Sequence, residues 1–330
     1  MISSAFHHLP GVGPKRLRQI QEAGIRDWFH LAEQPKTLFG MGDRTWQQLN
    51  ESLAECCDAF AAADLEYFVT NLDHRDHWRI LAHYFDKATF FDIETSGLEC
   101  DSVITIIACY HRGRFYRFFN GENLEEFLDL LEDVELLVSF NGNSFDVPKV
   151  ERAFHIPELP CPHLDLRWIC YHAGLRGGLK KIEPRLGILR PPDLAFVDGA
   201  EAVWLWQRWE QTGDARLRSR LDRYCCADVA ALLLVGNEIL KRHNCEVPCK
   251  AGRELWSELN DLVPPEAAQA SQEANSSATE RPSYSGLKFP SAEQRLRQHL
   301  RNRRMNPASG EKKRNQTGSN ENGTGGTRAG

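Results

Sequence analysis

No apolar run in this 330-residue chain approaches the ~20 residues that a membrane-spanning helix needs, so no membrane partner is expected. The N-terminus, MISSAFHHLPGVG, lacks a basic start followed by an apolar stretch. No signal peptide is read there, and a cytoplasmic location is expected. The ten cysteines lack the regular spacing of a disulfide scaffold, and neither Cys56-Cys57 nor Cys225-Cys226 has CxxC spacing. They read as reduced, buried thiols. Cys245, Cys249 and His243 lack an evident fourth ligand for zinc. What is present suits a globular protein. Hydrophobic residues at 42% and charged residues at 26% exclude a wholly disordered or collagen-like chain, and the length favours about two domains.

The net charge of −6 is unevenly spread. Residues 287–330 carry ten Lys and Arg against three Asp and Glu, whereas the first 286 carry 30 against 43, a net of −13. Residues 1–62 read as short helices separated by Gly-containing turns. Residues 63–85 read as a helical connector, and 86–243 alternate between strand and helix patterns. Residues 244–330 form an extension whose Pro, Ser, Asn and Gly content from about 263 predicts disorder. Within it, Ser291–Arg304 has the spacing of a basic helix with a capping box.

In the middle region ATFFDIE, SVITIIACY, FYRFF, ELLVSF and HLDL read as five strands. HRGR is a turn between the second and third. Helices are expected over Asn123–Glu132, from about Asp146, around Trp168 and Tyr171, and over roughly Ala215–Leu240. The order predicts a mixed α/β sheet flanked by helices and preceded by a small all-α domain.

Asp92 and Glu94 stand two apart on the first strand, so both side chains share one face while Phe91 and Ile93 take the other. Asp146 follows the fourth strand through Asn141-Gly142-Asn143-Ser144-Phe145. Asp228 lies in the apolar helix segment RYCCADVAALLLV, with Tyr224 four residues earlier on the same face and no Lys or Arg at i±3 or i±4. A buried acid needs a partner. Four acids on separate elements of one sheet are what two Mg²⁺ or Mn²⁺ ions need, because hard cations take oxygen ligands. Such a pair clamps the attacking and leaving oxygens of a phosphodiester. Asp165 reads as a helix cap, and Trp204, Trp206 and Trp209 as core.

FFDIETSGL, SFNGNSFDVPKV and YCCADV resemble the three exonuclease motifs of the DEDD superfamily, here D-x-E, N-x₃-F-D and Y-x₃-D. The tyrosine places the resemblance with the DEDDy branch, whose members include the proofreading domains of family B DNA polymerases. HLDLRWICY through GGLKKIEPRLGI is similar to the YprB-like RNase H-like proteins. The resemblance covers about residues 86–243. It implies an RNase H-like fold and 3′-to-5′ exonucleolytic hydrolysis of single-stranded DNA or RNA ends. It also implies that Asp92 bridges both metals, that Glu94 and Asp228 hold the metal carrying the nucleophilic water, and that Asp146 holds the second largely through water. Tyr224, with Glu94, would orient the water. Thr95 and Leu98 would line the slot for the terminal nucleotide, and Asn141 and Phe145 would steady the strand beside the site.

Phe6 to Leu17 (FHHLPGVGPKRL) resembles a helix-hairpin-helix motif. Gly11, Val12 and Gly13 would let the backbone approach a duplex phosphate, the next helix presents free N–H groups, and Lys15 and Arg16 add charge. Leu38–Trp46 repeats the G-x-G step, but Asp43 and Trp46 replace the small and basic residues expected. The readings that compete with an exonuclease are a nucleic-acid-binding protein that does not cut, an endonuclease with the same metals, and a nucleotide phosphodiesterase.

Overall fold

Alternating apolar residues in the middle of the chain build a five-stranded sheet. Its strands are β1 (Ala88–Thr95), β2 (Ile104–His111), β3 (Arg114–Phe119), β4 (Leu136–Ser139) and β5 (His163–Asp165). The spatial order is β3-β2-β1-β4-β5. The first three strands are antiparallel neighbours, and β4 and β5 run parallel to β1. The computed structural model describes residues 1–97, 99, 101–194 and 199–261. Leu98, the expected tail and the expected Ser291–Arg304 helix lie outside the described residues.

Five helices precede the sheet: α1 (Pro14–Glu22), α2 (Trp28–Ala32), α3 (Asp43–Ala61), α4 (Leu65–Asn71) and α5 (His77–Tyr84). After β3 come α6 (Glu126–Leu131), α7 (Asp146–Phe154), α8 (Leu166–His172) and α9 (Leu179–Ile182). The last three are α10 (Gly199–Thr212), α11 (Ala215–Arg242) and α12 (Gly252–Asp261). None of the described helices is long and apolar enough to cross a membrane.

Period-two alternation divides the core. Phe91, Ile93, Ile107, Cys109 and Leu137 meet Phe127 of α6 and Val150 of α7 on one face. Phe90, Ile106, Ala108 and Val138 belong to the larger cluster containing Tyr224, Ala227 and Val235 of α11. Each fully buried Phe contributes about 2–3 kcal/mol. α11 is buried nearly all round through its centre, the pattern of a helix enclosed by other elements. Trp206 lies in this core, and Trp204 and Trp209 pack against it, as their spacing suggested.

The N-terminal helices form two matching hairpins. Gly11 and Gly40 both have positive φ, and Gly13 and Gly42 both stand extended immediately before a helix. A Cβ on Gly11 would come within 2.5 Å of the Thr45 methyl group, so the two hairpins touch where only a glycine fits.

The helical connector over 63–85 contains two helices, α4 and α5. The Asp73 carboxylate accepts from the Arg75 N–H at 2.9 Å and so offers the backbone a turn between α4 and α5. Asp76, 1% exposed, then accepts from His7 Nδ1 at 2.7 Å and Arg79 Nε at 3.0 Å. His7 is thereby a structural contact. One apolar cluster runs from Ile2 to Leu259, so the N-terminal helices share their core with one face of the sheet. α12 was not anticipated. It docks through buried Leu255 and Leu259.

Candidate active site

Asp92 and Glu94 leave β1 on the α11 side, opposite Ala108 and Ile106 of β2. The small side chain of Ala108 leaves room beside Asp92. The register shifts between Glu94 and Thr95, where the strand gives way to the β1–β2 loop. Asp228 comes from the buried middle of α11. Carboxylate oxygens of Asp92, Glu94 and Asp228 all lie within 4.8 Å of one another. Among the described residues this is the one cluster of three or more such side chains with the spacing of a metal site.

Asp146 opens α7 and is buried. It stands beside the three-acid cluster rather than in it, close enough for its charge to act on Asp92 and Glu94. Lys149, one turn later on α7, donates to Ser102 Oγ at 2.6 Å and to the carbonyl of Glu99 at 2.8 Å. These bonds pin the start of α7 to the β1–β2 loop.

The electrostatics record four acids brought together away from water. Burial, then the charges of Asp228, Asp146 and Glu94, push the Asp92 carboxyl well above its ordinary range. Burial and Asp228 do the same to Glu94. Asp146 is pushed up to about 7, chiefly by burial, against the backbone N–H groups of Asp146 and Ile93 that favour its charged form. Such a group of carboxylates calls for cations.

Two side chains that the sequence reading did not select supply positive charge. Lys180, in α9, donates to Tyr224 Oη at 2.5 Å and lies 4.3 Å from that ring's centroid. Its charge favours the ionised forms of Asp92 and Glu94. Arg190 donates from Nη2 to Asp228 and grips Glu183 with two bonds of 2.6 and 2.7 Å. Its side chain is 4% exposed, and its Nη1 is buried without a hydrogen-bond partner among the described residues. The basic run through LKKIEPRLGILR was the available signal, but helix-spacing rules do not connect residues 38 positions apart.

Tyr224 is 3% exposed and faces the acids. Burial and the charges of Asp228, Glu94 and Asp92 raise its hydroxyl far above the ordinary range, so it keeps its proton and donates toward Asp228. The Cys225 thiol reaches the Asp92 carbonyl at 3.6 Å, and burial holds it protonated. Thr95 is buried, its Oγ1 donating to the Gly97 carbonyl at 2.6 Å.

The turn after β4 is built around Asp165, which accepts from the Asn141 N–H at 2.7 Å and, as the cap of α8, from the Arg167 N–H at 2.9 Å. A Cβ on Gly142 would fall 1.9 Å from Ser139 Oγ, so this turn admits no side chain there. Asn141 borders an open groove beside α8. Phe145 packs on the opposite face of the sheet, against the cluster around Phe91.

In the N-terminal hairpins, Lys15 is exposed and Val12 buried. Arg16 donates to the Gly11 carbonyl at 2.7 Å and to the Phe39 carbonyl at 3.5 Å, bridging the two hairpins. In the second hairpin Asp43 pairs with Lys36, and Phe39 stacks on Trp46.

A family model agrees with this architecture. Residues 89–240 match the family model of the RNase_H superfamily. No curated protein matches the chain. Similar solved structures include the family B DNA polymerase from the hyperthermophilic archaeon Pyrobaculum calidifontis. It is 18% identical at a TM-score of 0.39, over 46% of this chain and 24% of the polymerase. Another is the Aedes aegypti Nibbler EXO domain, 15% identical at a TM-score of 0.29, over 58% of this chain and 91% of that domain. Residues 89–240, which carry the sheet, all four acids and most of α11, have an RNase H-like fold.

Proposed function

We propose that this chain is a metal-dependent 3′-to-5′ exonuclease that hydrolyses phosphodiester bonds at single-stranded ends of DNA or RNA. The observation that carries it is the convergence of Asp92, Glu94 and Asp228 within 4.8 Å, backed by Asp146. The direction of digestion rests on the D-x-E, N-x₃-F-D and Y-x₃-D motifs. The donor set fits Mg²⁺ or Mn²⁺: it is all oxygen, and burial followed by the neighbouring carboxylates raises Asp92 and Glu94 in a way that divalent cations relieve. Asp92, Glu94 and Asp228 would hold the ions, with Asp146 beside them. Bound there, the cations would supply Lewis-acid stabilisation of phosphodiester oxygens and a more acidic water.

The chain's own groups do the rest. Tyr224 Oη, which accepts from Lys180, would hydrogen-bond and orient an attacking water. Lys180 and Arg190 bring positive charge to where a phosphorane would carry negative charge. The first hairpin would grip the backbone of a long or duplex substrate through the Gly11-Val12-Gly13 turn, Lys15 and Arg16, without reading sequence.

The test is digestion of 3′- and 5′-end-labelled DNA and RNA oligonucleotides with Mg²⁺, Mn²⁺ or EDTA, beside a circular single strand. Metal-dependent release of mononucleotides from the 3′ end, with the circle intact, is expected. A nicked circle would make the protein an endonuclease. No hydrolysis under any condition would leave a nucleic-acid-binding protein.

A further inference from the structure

An open groove of about 650 Å³ runs beside α8, walled by Phe140, Asn141, Arg167, Tyr171, Arg176 and Leu179. It abuts the acid site. Leu179 immediately precedes Lys180, whose ammonium binds Tyr224, and the Asn141 backbone is held by Asp165, whose charge acts on Asp146. We propose that this groove is the path by which a single-stranded nucleic acid reaches the acids. Its bases stack on Tyr171 in the groove and on Trp168 next to it, whose ring centroid is 6.3 Å from that of Tyr171, and its phosphates face Arg167 and Arg176. The proposal rests on the nuclease reading for the chemistry at the groove's inner end, but not for the binding.

Three observations name the occupant. First, α8 has seven residues and exposes two large aromatic rings, Trp168 at 38% and Tyr171 at 44%, three positions apart and therefore on one face. Burial of these rings would normally be favoured, so exposing both invites a planar apolar ligand. Second, the rings are held in place. His74 stacks on Trp168 at 5.2 Å and 10°, and the Arg176 guanidinium lies 4.8 Å from the Tyr171 centroid. Third, residues 166–190 carry six Lys and Arg and a single acid, Glu183, within a body of net charge −13. That acid is already occupied by Arg190. A polyanion is therefore favoured here and repelled by the body at large.

Aromatic platforms interleaved with cations suit unpaired bases, whose faces are free. The bases of an intact duplex already stack on one another and offer these rings nothing.

The experiment is fluorescence anisotropy of labelled 12-nucleotide single-stranded DNA and RNA in EDTA, so that binding is read without cleavage. The proteins are the wild type, Tyr171→Ala, Tyr171→Phe and the Trp168→Ala/Tyr171→Ala double variant. Removing a stacking ring costs roughly fivefold to a hundredfold in affinity. Tyr171→Ala should therefore weaken binding about tenfold, the double variant should weaken it further, and Tyr171→Phe should retain most of it. The circular-dichroism spectrum and melting temperature of each variant should match the wild type, which shows that the fold survives, and metal-dependent hydrolysis of a small chromogenic phosphodiester by each protein reads the chemistry separately from binding. Equal affinities of wild type and double variant would overturn the path, as would no binding by the wild type or equal losses on a blunt duplex. Weakened binding with no hydrolysis by any protein would sink the nuclease reading and leave the path standing. Hydrolysis with unchanged affinity would do the reverse.

Discussion

Under the proposed function, the acid site and the first N-terminal turn would meet a phosphate in two different ways. The site gathers side chains of one charge from β1, α7 and α11, and cations would complete it. The hairpin offers a bare backbone turn at Gly11 to Gly13, with one exposed lysine at its side. The first stores repulsion in the folded protein. The second stores almost none, because Arg16 satisfies the Gly11 carbonyl and also donates to the Phe39 carbonyl of the partner turn. Chemistry should therefore be concentrated in a few residues of the sheet, and anchoring spread thinly over the hairpin.

The largest break in that contrast should come from Asp92→Asn. Losing one charge-stabilising group costs ~10²–10³-fold or more in turnover. The metal-free protein should meanwhile gain stability, because one repelling charge is gone. Single-turnover cleavage and thermal melts in EDTA check both. Near wild-type cleavage would remove Asp92 from the site.

Arg190→Met should cost about 3–5 kcal/mol, since it leaves Glu183 buried and uncompensated. Adding Glu183→Met should restore much of the loss in a urea titration. If the double variant is no more stable than the single one, the pair is not the source of the cost.

Tyr224→Phe keeps the ring and its packing and removes one oxygen. A rate lower by ~10–10³-fold at saturating Mg²⁺, with an unchanged metal midpoint, supports water orientation. A shifted midpoint with full rate would mean that the hydroxyl organises the metal ligands instead.

A milder effect follows from pH. Asp92, Glu94 and Asp146 have raised folded-state pKa values, so between the ordinary carboxylate range and about 7 the native state binds more protons than the unfolded one. Stability in EDTA should then fall as pH rises through that window. Saturating Mg²⁺ should flatten or reverse the slope of melting temperature against pH, and Asp146→Asn should lessen it. An equal slope with and without metal would contradict the site.

The smallest change belongs to the hairpin. Lys15→Ala would remove one proposed phosphate contact. The log–log salt dependence of duplex binding should flatten by about 1, with cleavage of short oligonucleotides unaltered. No change in slope would make the hairpin a packing element.

The acids were legible because their patterns are local. Two positions apart on a strand, or four on a helix, fixes a shared face whatever the rest of the chain does. Asp165 as a cap was legible for the same reason. Lys180 and Arg190 were not, because their partners lie 44 and 38 residues away and are chosen by how α9 and the following turn pack on α11. The search for a partner to Asp228 looked along its own helix, and the partner came from outside it.

The cluster that runs unbroken from Ile2 to Leu259 has one more consequence. His7 is fastened to the start of α5, and Trp78 of α5 stacks on His243 beyond α11 at 3.9 Å. If the first N-terminal turn grips nucleic acid as proposed, this shared core would make that turn and the acids the two ends of a ruler. A strand gripped at one end and trimmed at the other would run out of slack at a set length. The shortest product would then be dictated by the span of the protein rather than by how tightly it holds on.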